Sequence, residues 1–340
     1  MEFGVYSFGD LPPEKRGADA ARERIDALLA TAKLADDAGL SIFGLGEHHR
    51  SDYAVSSPTT VLAAIAAITK KIRLTSAVTI LSSDDPVRVF QEFATLDLIS
   101  SGRAEMMAGR GAFIESFPLF GQKLEDYDLL FNEKLDLLLE LRDHEKINWK
   151  GHFRAALQDA EIAPRPLNKD MPIWIAAGGT PESARRAGRL GLPLNLATIG
   201  GEPKQFIPFF NLYKETYHAS GHPADKLQIA ISSHFHIAPD SQTARSEFYP
   251  YYRRYLFHNL PNRDRGWDVS PATYDALASP HGALFVGSPQ EIIDKIAYEK
   301  EIFGHHRYLA QLDIGGLPFP LVARSIELIA TKVMPVVKNL

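Results

Sequence analysis

At 340 residues, 45% of them hydrophobic, the chain can bury a large core, as one large α/β barrel or as two medium domains. Its net charge of −5 and a sequence pI near 6.2 argue against a nucleic-acid surface, and no basic run tracks phosphates. The absence of cysteine excludes disulfides, thiolate nucleophiles and zinc–sulfur sites. The N-terminus, MEFGVYSFGD, meets acidic residues at once and lacks a charged-then-apolar leader pattern. No apolar stretch reaches the ~18 residues of a membrane span. These features predict a soluble, cytoplasmic chain that binds neither nucleic acid nor membrane.

Short apolar runs alternate with longer amphipathic ones. Phe3–Phe8 reads as a first strand, and Arg22–Ala38 as a helix with Ile25, Leu28, Leu29, Ala32 and Ala35 on one face. Leu40–Leu45 is a second strand, Pro58–Thr69 a helix, Ile72–Leu81 a third strand and Pro86–Ile99 a helix. Ala104–Met107 is a strand and Tyr127–Arg142 a helix, followed by a polar, irregular stretch to about Asp170. Strands at Pro172–Ala177, Leu192–Ala197, Gln228–Ile237 and His306–Leu312 then alternate with helices at Pro181–Arg189 and around Lys204–Ala219. Leu321–Val337 closes the chain as a helix.

Ser57-Pro58, Asp85-Pro86, Thr180-Pro181 and Ser288-Pro289 each place a capping side chain before a proline at the first helical position. This repeated strand–loop–helix punctuation predicts a (β/α)8 TIM barrel, a fold that needs ~250 residues plus insertions. The surplus lies near residues 113–170 and 239–283, as insertions at the C-terminal face of a single domain. The second insertion follows the seventh strand, shows no clear periodicity, and is expected to overhang the mouth as a lid.

The segment from Gly44 to Asp52, GLGEHHRSD, puts Glu47, His48 and His49 where a strand gives way to a loop. Ligands and reactive groups gather at that end of barrel strands, and histidine is the side chain best suited to move protons near neutral pH. On extended chain at most one imidazole enters a pocket while its neighbour packs sideways; a purely structural pair fits about as well. Zinc is disfavoured, because the helical histidine spacing of a metalloprotease is missing.

In GRAEMMAGRG, a strand delivers Arg110 between Gly109 and Gly111, suited to a phosphate, although a surface arginine in a glycine turn is the plainer alternative. AAGGTPESA runs from a strand through Gly178-Gly179 into a helix start whose backbone N–H groups, with the Ser183 hydroxyl, suit an anion equally well as an ordinary capped turn. The small side chains of Ser76-Ala77-Val78-Thr79 would let a flat ring lie against the backbone. His234 and His236 share one face of the seventh strand, both inward or both outward. Phe8, His234, His236, Trp267 and the 113–120 stretch are candidates for a pocket holding a medium-sized, largely apolar small molecule.

Together these segments resemble the bacterial luciferase-like family of flavin-dependent oxidoreductases. The resemblance spans nearly the whole chain and is strongest from Ala38 to Gly111. There AGLSIFGLGEHHRSD, the SSP helix start, KKIRLTSAVTIL, DPVRVFQEFATLDLISSGRAE and GRG fall in the family's order and spacing. Later marks are AAGGTPESARRAGRLGLP, the VGSPQEIIDKI helix and the DIGGLP turn.

The resemblance implies a (β/α)8 barrel, usually a homodimer, with reduced flavin mononucleotide (FMN) at the C-terminal mouth. It makes His48 the active-site acid/base candidate, with His49 its neighbour and a further candidate for the substrate pocket. It places a non-proline cis peptide at Ala77–Val78 against the flavin ring. Arg110 matches the arginine that grips the flavin phosphate, Gly179 and Thr180 the backbone amides there, and Ser183 a hydroxyl ligand. Where the light-emitting luciferase subunit carries a reactive cysteine, this chain has Gly109, so nothing in it predicts bioluminescence. The expected activity is a two-component monooxygenase using dioxygen and a separate flavin reductase. A deazaflavin-dependent dehydrogenase or reductase on the same barrel, and a non-catalytic flavin-binding or partner subunit, are the alternatives.

Overall fold

The structure is a computed structural model describing residues 1–111, 113–259 and 269–340. Among the described residues, eight parallel strands close into a barrel. They are β1 (Glu2–Ser7), β2 (Ile42–Leu45), β3 (Arg73–Ser76), β4 (Ala104–Gly109), β5 (Ile173–Ala177), β6 (Leu194–Ala197), β7 (Ile229–Ile237) and β8 (Arg307–Gln311). Each pairs with the next, and β8 returns to β1 in the register Glu2↔Arg307 to Tyr6↔Gln311. Helices α1 (Gly17–Asp37), α2 (Pro58–Ile68), α3 (Pro86–Ser100), α4 (Tyr127–Asp143), α5 (Pro181–Leu190), α6 (Ile207–Ala219), α7 (Pro289–Phe303) and α8 (Phe319–Leu328) follow these strands in turn. Covered on both faces, the strands are near-continuous buried runs, and all of β7 is buried. The fold is the (β/α)8 TIM barrel expected from the sequence.

The N-terminal end of the barrel is plugged. The Arg307 guanidinium donates to both oxygens of Glu105, at 2.7 and 3.1 Å, and to Glu2 at 2.9 Å. It also lies 4.1 Å from the centre of the Trp174 ring. With this end closed, the opposite, C-terminal end of the barrel is the one open to a ligand among the described residues.

The helix starts divide into two kinds. The Asp85 carboxylate accepts from Val87 N and Arg88 N, and Ser288 forms a capping box with Glu291. Ser57 and Thr180 do not cap with their side chains; the Thr180 hydroxyl is turned toward Arg110 instead.

Three stretches differ from the sequence reading. The Ile72–Leu81 strand is broken: β3 ends at Ser76, the Ala77–Val78 peptide is cis, and Thr79–Ile80 pairs separately with β4. The polar stretch before Asp170 contains an antiparallel hairpin, Lys146–Trp149 against Leu157–Glu161. Both strands are largely exposed, so they show no apolar alternation. The segment after β7 is not aperiodic, because Ser241–Asn259 and Pro271–Leu277 are helices. The buried positions of the first are Ala244, Phe248, Tyr252, Tyr255 and Leu256, a helical stripe carried by tyrosine and alanine and therefore weak on a hydropathy scale. No helix among the described residues is long and apolar enough to cross a membrane.

Candidate active site

A cavity of about 330 Å³ opens at the C-terminal mouth, where strand ends and loops converge. His48, Ala77, Val78, Arg110, Thr180 and His234 all line it. Gly179 and Ser183 are not among the lining residues, but Ser183 Oγ lies 2.8 Å from Thr180 Oγ1 and Gly179 directly precedes Thr180. Trp267 lies outside the described residues.

His48 follows β2 after the Gly46 turn, where a side chain at Gly46 would meet the Phe8 ring at 2.4 Å. The imidazole is buried among Phe8, Tyr53 and Phe113, with ring centres 4.5, 4.2 and 5.1 Å away, and its Nε2 has no hydrogen-bond partner among the described residues. Burial, with lesser contributions from Arg50 and His49, lowers its pKa to about 3. His48 is therefore neutral at physiological pH.

His49 is a pocket candidate in the sequence but does not line the cavity. Its Nε2 lies 2.8 Å from Glu47 Oε1, and the other oxygen of Glu47 accepts from Ile80 N at 2.9 Å. Glu47 thus holds the His49 imidazole and ties the loop to the strand after the cis peptide.

His234 and His236 do share a face, but only His234 reaches the cavity. Its ring packs against Tyr252 and Tyr255, and burial lowers its pKa to about 3. The Ser241–Asn259 helix covers His236, which lies 3.0 Å from Glu247 Oε2 and stacks on Phe248.

The mouths of β4 and β5 form a cationic corner. Arg110 Nη2 donates to Thr180 Oγ1 at 3.0 Å and reaches Ser183 Oγ at 3.4 Å, while the two hydroxyls are 2.8 Å apart. Its other nitrogen pairs with the exposed Asp128, and its guanidinium lies over the Tyr127 ring at 5.1 Å. Arg186, buried within α5, is held below the usual arginine range by burial and by the nearby Arg110 charge. Two cations that repel one another, beside hydroxyls at a helix start, fit an anion such as a phosphate. Gly179 has φ +104°, and a side chain there would meet Phe206 at 3.2 Å, so the backbone passes this corner only as glycine.

The floor of the cavity carries a polar chain that the sequence reading missed. Tyr6 Oη donates to Gln311 Oε1 at 3.1 Å, and Asn195 Nδ2 donates to Ser232 Oγ at 3.1 Å. A polar residue inside an apolar run, as in LNLA and RYLAQ, was the available signal. Strand parity alone could not say that these residues face one space.

Residues 1–306 match the family described as luciferase-like monooxygenase. The chain belongs to this family. It is 26% identical to the oxygenase component of a flavin-dependent trigonelline monooxygenase from Acinetobacter baylyi, over 92% of this chain and 90% of that one. The crystal structure of the monooxygenase RslO1 from Streptomyces bottropensis superposes with a TM-score of 0.86 at 26% identity, covering 98% and 99% of the two chains. A coenzyme F420-dependent tetrahydromethanopterin reductase from Methanopyrus kandleri shares the fold, with a TM-score of 0.75 at 19% identity over 98% and 99%. Membership makes this luciferase-like chain an oxidoreductase.

Proposed function

We propose that this protein is the oxygenase of a two-component flavin monooxygenase. A separate reductase supplies reduced FMN; one atom of dioxygen enters a small organic substrate, the other leaves as water, and the flavin returns oxidised. The observation that carries this reading is the cationic corner of Arg110, Thr180 and Ser183 opening onto the cavity that holds His48. Those three side chains and the Gly179 backbone would hold the phosphate, and Ala77–Val78 would form the wall against the ring. When bound, the reduced flavin supplies the two electrons that activate dioxygen.

The chain's own residues then have separate tasks. Phe8, Tyr53 and Phe113 keep water from His48. The neutral imidazole of His48 presents an unpaired Nε2 that can hold or accept a proton. Likeness to the trigonelline monooxygenase component supports the use of a flavin and a separate reductase.

A second reading is a deazaflavin-dependent reductase, favoured by the likeness to the F420-dependent enzyme and served by the same anion corner. Anaerobic titration with reduced FMN and, in parallel, reduced F420 separates the two. Tight binding of FMN, followed by incorporation of labelled dioxygen into a substrate from a panel, is the expected result. Preference for F420 without oxygen incorporation would move the assignment to hydride transfer, and binding of neither would overturn both. Oxygenation unchanged in His48→Ala would remove His48 from the chemistry.

A further inference from the structure

The polar chain on the cavity floor is open at both ends. Tyr6, Asn195, Ser232 and Gln311 are buried side chains of β1, β6, β7 and β8 that all line the cavity. Tyr6 donates to Gln311 Oε1, and the nearby Ser232 hydroxyl accepts from Asn195 Nδ2. Two atoms are left over: Gln311 Nε2, a donor, and Asn195 Oδ1, an acceptor, both buried without a partner among the described residues. Gln311 is 1% exposed and Asn195 4%, so bulk water does not satisfy them. Buried polar atoms of this kind are ordinarily paired, and an unpaired donor and acceptor on two side chains that line one cavity mark a candidate binding edge.

The chemistry of that edge is specific. The charged side chains lining the cavity, among the described residues, are Glu47 and Arg110, each paired elsewhere, and neither stands on these four strands. A carboxylate would leave Asn195 Oδ1 facing a like partial charge, and an ammonium would do the same to Gln311 Nε2. An uncharged group offering a carbonyl beside an N–H satisfies both ends at once.

We propose that Gln311 and Asn195 read the carbonyl–N–H edge of a neutral amide or imide ring that enters the cavity. The proposal rests on the mouth being a ligand site, as in the function above, and deepens it. Two molecules could bring such an edge: the pyrimidine ring of the flavin or the substrate itself.

Binding measurements distinguish them. Wild-type protein is titrated anaerobically with reduced FMN and with its N3-methyl analogue, which lacks the donor hydrogen. Flavin-free protein is titrated with glutarimide and N-methylglutarimide. Both comparisons are repeated in Gln311→Leu and Asn195→Leu, whose cooperative unfolding is checked first. Loss of one hydrogen bond to a buried group predicts about ten-fold weaker binding of the methylated partner. Discrimination against N3-methyl FMN that disappears in the variants assigns the edge to the cofactor. Discrimination confined to glutarimide and lost in the variants assigns it to the substrate. Equal binding of both members of each pair by the wild type, which needs no variant to fold, overturns the proposal, as does discrimination that survives both substitutions. Failure of FMN to bind at all counts against the monooxygenase reading, while the glutarimide titration still decides this one.

Discussion

Arg307 and Gln311 stand four residues apart on β8, 2% and 1% exposed, at opposite ends of the same barrel. At the N-terminal end Arg307 is fully engaged, by Glu105, Glu2 and the face of Trp174. At the C-terminal end Gln311 keeps its amide nitrogen unpaired among the described residues, as do His48 its Nε2 and Asn195 its Oδ1. Burial is equal and hydrogen-bond satisfaction is opposite. An unpaired buried charge is far more costly than an unpaired buried amide, so a fold can leave amides and neutral imidazoles open for a ligand but must complete its ion pairs internally. The plugged end therefore carries stability, and the open end is free to carry function.

Substitutions at the two ends should separate these roles. Arg307→Leu leaves the Glu105 carboxylate buried without its bidentate partner, and a loss of about 3–5 kcal/mol in denaturant unfolding is expected. A loss below about 1 kcal/mol would mean that the plug is not where the barrel's stability lies. At the mouth, Arg110→Ala is expected to weaken reduced FMN by roughly 1.5–3 kcal/mol in an anaerobic titration, with the unfolding midpoint unchanged. Unaltered affinity would detach the cationic corner from flavin binding.

Acid sharpens the contrast further. The pKa values of His48 and His234 are lowered from 6.5 to about 3 by burial, so between these values the unfolded chain binds more protons than the folded one. Stability must then fall as the pH drops through this window, by roughly 1.4 kcal/mol per pH unit for each histidine. Urea unfolding at about pH 7 and about pH 5 should show a shallower fall in His234→Gln than in the wild type; identical slopes would mean that His234 is not held neutral by the fold. The smallest effect is expected for Thr180→Ala, about 0.5–1.5 kcal/mol in flavin affinity. Because Thr180 does not cap α5, no change in unfolding should accompany it. Lost stability with unchanged flavin affinity would return Thr180 to the ordinary role of a helix cap.

The sequence was most legible where one residue type can serve one purpose. Apolar runs separated by Ser-Pro and Asp-Pro helix starts implied the repeated strand–helix unit, because doubly covered strands must be apolar throughout. GLGEHHRSD and GRG were visible because charged and imidazole side chains stand directly after such runs. The 239–283 segment was not legible, since its buried stripe is built from tyrosines that also occur on surfaces. His49 and His236 could be placed at strand ends from sequence, but what turns or covers them is the Glu47 carboxylate and the Ser241–Asn259 helix, partners that only packing brings into contact.

By itself, then, the sequence determined the barrel, the order of its units and the strand ends at which reactive groups gather, because these follow from local periodicity and capping. The tertiary structure decided which polar groups share one cavity. Tyr6 meets Gln311 across 305 positions of chain, and Arg110 meets Ser183 across 73. Such meetings depend on closure of the barrel, where register fixes which side chains face inward at the same depth, and no local pattern in the chain encodes that.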